Sequence, residues 1–130
     1  MVFEITAFYA AILALMMLTL FYYVVFMRAK SGVSINDGGN VALAERIRRH
    51  GNFVENVPIA LIVLALAEAN GMAAMYVHAS GILLVAARAV HPFGIAQENA
   101  ATVFRIAGGV GTTIAILIPV ASLLFGPFGA

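Results

Sequence analysis

The sequence predicts an all-α integral membrane protein, folded as a four-helix up-down bundle. Of its 130 residues, 63% are hydrophobic and only 10% are charged, whereas soluble domains use roughly 45 to 50% apolar residues. Four long apolar segments follow one another, and a hydrocarbon core about 30 Å thick needs about 20 helical residues per crossing. The seven basic residues all flank the first or the third connection between these segments. We therefore expect a single domain, residues 1–130, that crosses the bilayer four times.

The first apolar segment runs from Ile5 to Met27. It is predicted to be a retained helix and not a signal peptide, because no basic stretch precedes it and it exceeds the usual length of such a peptide. The turn sequence Asp37-Gly38-Gly39-Asn40 follows, since Gly and Asn adopt positive φ at low cost. Asn40 is predicted to cap the second helix.

The second helix is predicted to begin in a polar stretch and to continue into the apolar run from Phe53 to Ala67. Ala69-Asn70-Gly71 favours a tight turn, and the proline of His91-Pro92 disfavours helical geometry at the residue before it. The predicted helices cover about residues 3–28, 41–69, 72–91 and 99–125.

The positions of the basic residues predict the orientation in the membrane. By the positive-inside rule, the first and third connections face the cytoplasm and both termini face the other side. The net charge of +1 is too small to indicate a surface for nucleic acid. The basic residues are Arg28, Lys30, Arg46, Arg48, Arg49, Arg88 and Arg105.

One face of the second helix is polar. At 100° per residue, Glu45, Arg48, Asn52 and Glu55 lie within an arc of roughly 80°. Glu55 falls in the first turns of the membrane-embedded part, where a carboxylate is costly unless it is paired. One explanation is structural: Glu45 pairs with Arg48 or Arg49, and Glu55 with another basic residue, only to close this end of the bundle.

The other explanation is a binding site, because the third and fourth helices place Arg88 and Arg105 at the same end. A pocket lined by Arg48, Asn52, Glu55, Arg88 and Arg105 would offer three guanidinium groups, one amide and one carboxylate. Such a pocket suits a ligand with several carboxylates and one ammonium group.

Three stretches, VSINDGGN, AERIRRHGNFVENVPIALIVLALAE and RAVHPFG, resemble the MAPEG family, the membrane-associated proteins of eicosanoid and glutathione metabolism, and most of all its compact bacterial members. The resemblance covers essentially the whole chain. It implies four-helix subunits assembled as a homotrimer in a bacterial inner membrane, with glutathione as co-substrate between adjacent subunits.

The resemblance also implies roles for individual residues. Arg48 would hold a carboxylate of glutathione, Asn52 would meet its peptide backbone, and Glu55 would hold its ammonium group. Arg88 and His91 match the Arg-x-x-His pattern of the third helix, in which the arginine is a ligand or a structural partner.

Arg105 lies within a residue of the fourth-helix arginine to which the family assigns stabilisation of the thiolate. The chain departs from the family nearby, because Gly108-Gly109 stands where several members have a tyrosine and Ile106 replaces a small hydroxyl residue. These departures argue against the specialised eicosanoid reactions. They favour conjugation of glutathione to lipophilic electrophiles, a peroxidase reaction, or binding of glutathione or lipid without turnover.

A small multidrug transporter is a rival of another class, but it needs a carboxylate near mid-membrane. Glu4, Glu55 and Glu68 all lie near the ends of the apolar segments and not at their centres. No spacing typical of metal ligands occurs, so we expect no metal site. We expect His50 to be interfacial and His78 to have a packing role.

Overall fold

The computed structural model, which describes residues 2–129, contains four long α-helices in that range. They are α1 (Glu4–Ser31), α2 (Val41–Ala69), α3 (Ala74–Val90) and α4 (Val103–Phe125), and a 3₁₀ turn (His91–Gly94) continues α3. Each is long and apolar enough to cross a membrane, α3 when counted together with that turn. The predicted all-α fold with four membrane-length helices is confirmed.

The helix ends follow local capping. Asn40 caps α2 as predicted, since its side-chain oxygen accepts a hydrogen bond from the Leu43 N–H at 3.1 Å. α1 continues to Ser31, beyond the predicted end, and stops where Gly32 adopts a left-handed φ of 70°. α4 begins at Val103, later than predicted, because Thr102 is its N-cap residue.

The helices α3 and α4 make the most extensive contact in the bundle. A Cβ on Gly108 would lie 2.5 Å from the Cβ of His91, and one on Gly111 would lie 2.9 Å from the Cβ of Ala87. Gly109, by contrast, has nothing within 4 Å of such a position. Gly108 and Gly111 therefore allow the close approach of α3, whereas Gly109 faces away from it.

The buried Pro119 lies inside α4 without breaking it. Proline has no N–H, so the carbonyl of Ala115, four residues earlier, loses its helical partner. Ser80 of α3 supplies the missing donor, because its hydroxyl donates to the Ala115 carbonyl at 2.6 Å. A neighbouring side chain thus satisfies the backbone group that an apolar bilayer would leave unpaired.

Helix α1 packs against α2 and α3, but few of its side chains are buried. Thr6, Tyr9 and Leu13 are its buried residues. The carboxylate of Glu68, at the end of α2, accepts from the N–H groups of Ile5 and Thr6 at 2.8 Å each. Most of the apolar surface of α1 is left for lipid or for a protein partner.

Candidate functional site

The polar face of α2 carries an exposed ion pair. Arg48 makes a bidentate interaction with Glu55, and its two terminal nitrogens lie 3.2 and 3.3 Å from the two carboxylate oxygens. The pair spans two helical turns and crosses Gly51, where a Cβ would lie 3.0 Å from the Arg48 guanidinium. Both side chains are 56% exposed. The sequence left open which basic residue Glu55 meets, and in this chain it is Arg48.

Two other side chains of α2, Glu45 and Arg49, hold the third connection. Glu45 accepts from the Gln97 N–H at 3.0 Å, and Arg49 donates to the Ile95 carbonyl at 3.1 Å. The same two side chains pair with each other at 3.5 Å. Of the two partners predicted for Glu45, the structure shows Arg49. The connection after α3 is therefore fixed against α2.

Thr102 fixes the other end of that connection. Its hydroxyl donates to the Gly94 carbonyl at 2.6 Å and accepts from the Arg105 N–H at 3.2 Å. Gly94 is required here, because a Cβ would clash with the backbone of Arg105. These contacts fix the position of Arg105, in the first turn of α4, relative to the third connection. A threonine directly before an apolar run is a recognisable N-cap signal, but Thr102 was not singled out from the sequence.

A cavity of about 280 Å³ lies between α2 and the third connection. Its polar wall contains Arg48, Asn52 and Arg105, three of the predicted site residues, together with Glu45. Within residues 2–129, the side chain of Arg105 is exposed and makes no hydrogen bond or ion pair. A cation without a partner in a partly enclosed space favours an anionic ligand. The remaining lining residues are Ala44, Ile95, Ala96, Gln97 and Ala100.

An open, mostly apolar groove of about 500 Å³ continues from this cavity along the outer side of α4. The two spaces share Ala100 and Arg105, and beyond them the groove is lined by residues of α4 alone. Arg105 therefore stands where a polar cavity meets an apolar surface of a membrane helix. The other lining residues of the groove are Ile106, Gly109, Val110, Thr113 and Ile114.

Arg88 lies behind the cavity wall and does not line it. Only 1% of Arg88 is exposed, and its guanidinium donates to Asn52 Oδ1 at 2.7 Å and to the Thr112 hydroxyl at 3.4 Å. It also lies over the ring of Phe53, 5.5 Å from the centroid. Asn52 lines the cavity, and because Arg88 uses its amide oxygen, the group it can offer a ligand is the amide nitrogen, a donor.

The remaining predicted residues are also outside the cavity wall of the single chain. His91 is buried at the start of the 3₁₀ turn, and Glu55 reaches the site only through Arg48. His50 contacts the ring of Phe21, and His78 bonds the hydroxyl of Tyr9 at 2.8 Å. In residues 2–129, no three His, Cys, Asp or Glu side chains are grouped closely enough to hold a metal ion.

Comparison with known proteins identifies the family of the chain. The family model described as "MAPEG family" matches residues 6–125. The chain belongs to the MAPEG family. This confirms the family predicted from the three stretches around the polar face of α2, and the cavity and groove are features of a MAPEG membrane protein.

Curated relatives of this MAPEG chain include "Inner membrane protein YecN" from Escherichia coli strain K12 and the protein of the same name from strain CFT073. Each is 39% identical over 90 residues, which is 69% of this chain and 69% of the relative. No solved structure matches the chain. The names of these relatives state a location in the cell and no activity.

Proposed function

We propose that this MAPEG protein binds glutathione in the cavity beside α2 and conjugates its thiolate to lipophilic electrophiles that arrive from the bilayer. One observation carries the proposal: Arg105 borders both the polar cavity and the apolar groove of α4. A conjugating enzyme needs a polar peptide and an apolar reactant to meet at one point. Arg105 occupies such a point and has a guanidinium available for the reacting sulfur.

The polar groups of the cavity match those of glutathione, which has two carboxylates, one ammonium group, two amides and a thiol. Arg48 would bind a carboxylate, since a guanidinium forms paired hydrogen bonds to such a group. Asn52 would donate to a peptide carbonyl, because Arg88 already occupies its amide oxygen. Arg88 would act as a positioning residue for Asn52, and His91, three residues later in the chain, would support that end of α3.

Arg105 would stabilise the thiolate. A free cysteine thiol has a pKa of about 8.5 and is mostly protonated at neutral pH, whereas a nearby cation lowers the pKa and favours the nucleophilic anion. The electrophile would lie in the groove along Ile106, Val110 and Ile114, whose side chains are about half exposed. Attack of the sulfur would then take place at the Arg105 end of the groove.

The setting of this reaction is part of the proposal. We place the protein in a bacterial inner membrane, with the first and third connections and the cavity at the cytoplasmic side, where the basic residues are favoured. The family resemblance implies a homotrimer with glutathione between subunits. The exposed apolar surface of α1 and the exposed Arg48–Glu55 pair leave surface for such contacts.

The test is ultraviolet difference absorbance of glutathione added to the detergent-purified protein, which detects bound thiolate near neutral pH. We expect saturable thiolate formation in the wild type. In Arg105→Ala, glutathione should still bind, but the thiol pKa should return toward about 8.5. Turnover of a chlorodinitrobenzene should fall on the order of tenfold or more, as when one electrostatic stabiliser of a transition state is removed.

The matched control is Arg46→Ala. Arg46 is a basic residue of the same helix, but it donates to the Tyr23 carbonyl and lies over the Tyr23 ring, away from the cavity. Thiolate formation should survive in this variant. Binding without thiolate in the wild type would indicate a binding protein without turnover. The absence of any binding would overturn the proposal and leave the polar face of α2 with a structural role.

A further inference from the structure

A second groove, of about 300 Å³, lies between α1, α2 and the 3₁₀ turn, and the proposed glutathione site does not use it. This α1 groove shares no lining residue with the cavity beside α2 or with the groove along α4. A ligand bound there would therefore be separate from glutathione. The lining residues of the α1 groove are Thr19, Leu20, Tyr23, Arg49, Pro92 and Phe93.

Most of the α1 groove is apolar. Leu20 and Phe93 line it with hydrocarbon, and 78% of Phe93 is exposed. The hydroxyl of Thr19 already donates to the Leu15 carbonyl of its own helix, at 2.9 Å. Tyr23, one turn further along α1, is of a residue type that is enriched where a membrane meets water. This part of the groove suits an acyl chain.

The charged part of the groove is the guanidinium of Arg49, which the chain satisfies only in part. Its contacts within residues 2–129 are to the Ile95 carbonyl at 3.1 Å and to Glu45 at 3.5 Å, and both use Nη2. Nε is buried without a partner. The N–H groups of Nη1 are left for a ligand, and a guanidinium matches the oxygens of a phosphate in geometry and charge.

A second cation lies at the same end of the groove. Arg46 lies one turn before Arg49 on α2, and its guanidinium lies over the ring of Tyr23, 4.0 Å from the centroid. Glu45 offsets one of these two positive charges, so one net positive charge remains beside an apolar groove. This combination matches a ligand that has a hydrocarbon chain and a negative headgroup.

We propose that the α1 groove binds an anionic phospholipid, with its phosphate at Arg49 and Arg46 and an acyl chain along Leu20 and Phe93. The groove lies at the end of the bundle that carries the basic residues, so a lipid of the adjoining leaflet enters it without leaving the bilayer. A lipid of the choline type carries an ammonium group, which the two arginines disfavour. The groove is therefore selective for a negative headgroup.

The test uses tryptophan fluorescence, because the sequence contains no tryptophan. In Phe93→Trp the indole lines the α1 groove. In the control Phe21→Trp it lies on α1 about 200° from Tyr23, and Phe21 lines none of the three spaces described. Both variants are reconstituted in phosphatidylcholine vesicles with increasing fractions of phosphatidylglycerol. The lipid under test carries bromine on its acyl chains, which quenches tryptophan on contact.

At Phe93→Trp, the relative binding constant should favour phosphatidylglycerol about fivefold or more, as expected for one or two arginines beside a negative headgroup. At Phe21→Trp it should be about one, because bulk lipid fills that surface.

Substitutions in the Phe93→Trp background test the two arginines. Arg49→Gln should lower the preference to about twofold or less, whereas Arg49→Lys keeps the charge and should retain most of it. Arg46→Gln should also lower the preference. Because Arg46 bonds to Tyr23, this variant keeps the contacts of Arg49 with the third connection.

A preference that survives both glutamine variants would overturn the inference. The same holds for a preference of equal size at Phe93→Trp and Phe21→Trp, which would reflect general attraction to the basic end of the protein. Quenching of Phe93→Trp by neither lipid would show that a second copy or another protein covers the groove, and would overturn the inference as well. None of these results depends on glutathione, so the proposed function stands or falls separately.

Discussion

At the scale of single residues, the most informative side chain is Arg88, because it is a cation buried in the bundle. It meets a carbonyl oxygen, a hydroxyl and an aromatic ring, and within residues 2–129 it forms no ion pair. A buried charge that is paired only with neutral groups adds little to stability, since desolvation offsets the contacts. Its orientation of Asn52 is the more direct consequence for the site.

We therefore expect Arg88→Met to separate binding from stability. Methionine fills similar space without a charge. The free energy of unfolding should therefore fall by no more than about 1 kcal/mol, or should rise. Glutathione affinity should fall about tenfold, because Asn52 loses the partner that fixes its amide. The ligand that still binds should form thiolate as before. Calorimetry and difference absorbance measure the two effects, and an unchanged affinity would contradict the role of Arg88.

The site could be predicted from the sequence only in part, for reasons visible at this scale. Arg48 and Asn52 share a face of one helix, so periodicity alone places them together. Arg105 reaches the same cavity as Arg48 and Asn52 because of the path of the third connection. Contacts of Glu45, Arg49 and Thr102 with its backbone set that path. Such contacts to main-chain atoms leave no pattern in the spacing of side chains. The ligand roles assigned to these residues stay predictions.

At the scale of helices, the contact between α3 and α4 compensates for a proline. The Ser80 hydroxyl donates a hydrogen bond to the Ala115 carbonyl, because Pro119 has no N–H to donate. The existence and approximate bounds of all four helices followed from segment length, the second only because its polar lead-in was counted together with the apolar run from Phe53 to Ala67. The start of α4 did not, because the Thr102 cap and the bonded turn before it override the apolar pattern.

A double-mutant cycle tests this compensation. Ser80→Ala should lower the free energy of unfolding by about 1 kcal/mol, because it leaves a buried carbonyl without a donor. In a Pro119→Ala background the same change should cost much less, since the N–H of residue 119 then reaches Ala115. Denaturant titration of helicity in detergent micelles measures both values.

Thr113→Val is the matched control for this cycle. The Thr113 hydroxyl also donates to a carbonyl of α4, that of Gly109, but that carbonyl has its ordinary helical partner. The change should therefore be close to neutral. An equal cost of Ser80→Ala in both backgrounds would show that the hydroxyl acts through packing and not through the freed carbonyl.

At the scale of the whole molecule, the up-down order of the helices brings the first and third connections to one end. Contacts such as that between Glu45 and Gln97 show that this end is shared by α2 and the third connection. The fold therefore collects nearly all of its charge on one side of the membrane. Which side that is follows from the basic residues and stays a prediction.

The absence of cysteine from the sequence makes this orientation straightforward to measure. Ser34→Cys, Asn70→Cys and Glu98→Cys place one thiol in each connection, at exposed positions. In intact cells, a membrane-impermeant maleimide should label only the Asn70 variant, because the positive-inside rule puts the other two connections in the cytoplasm. After lysis all three should react. Labelling of the Ser34 and Glu98 variants in intact cells would reverse the orientation.

The carboxylate of Glu68 also has a consequence for biogenesis. The first N–H groups of α1 have no partner within their own helix, and the acceptor that satisfies them is made about sixty residues later, at the end of α2. The opposite end of α1 is held by α2 as well, where Arg46 donates to the Tyr23 carbonyl at 2.8 Å. We therefore expect the first helix to be held at both of its ends only after the second helix has been made, and the two helices to enter the bilayer together as a hairpin.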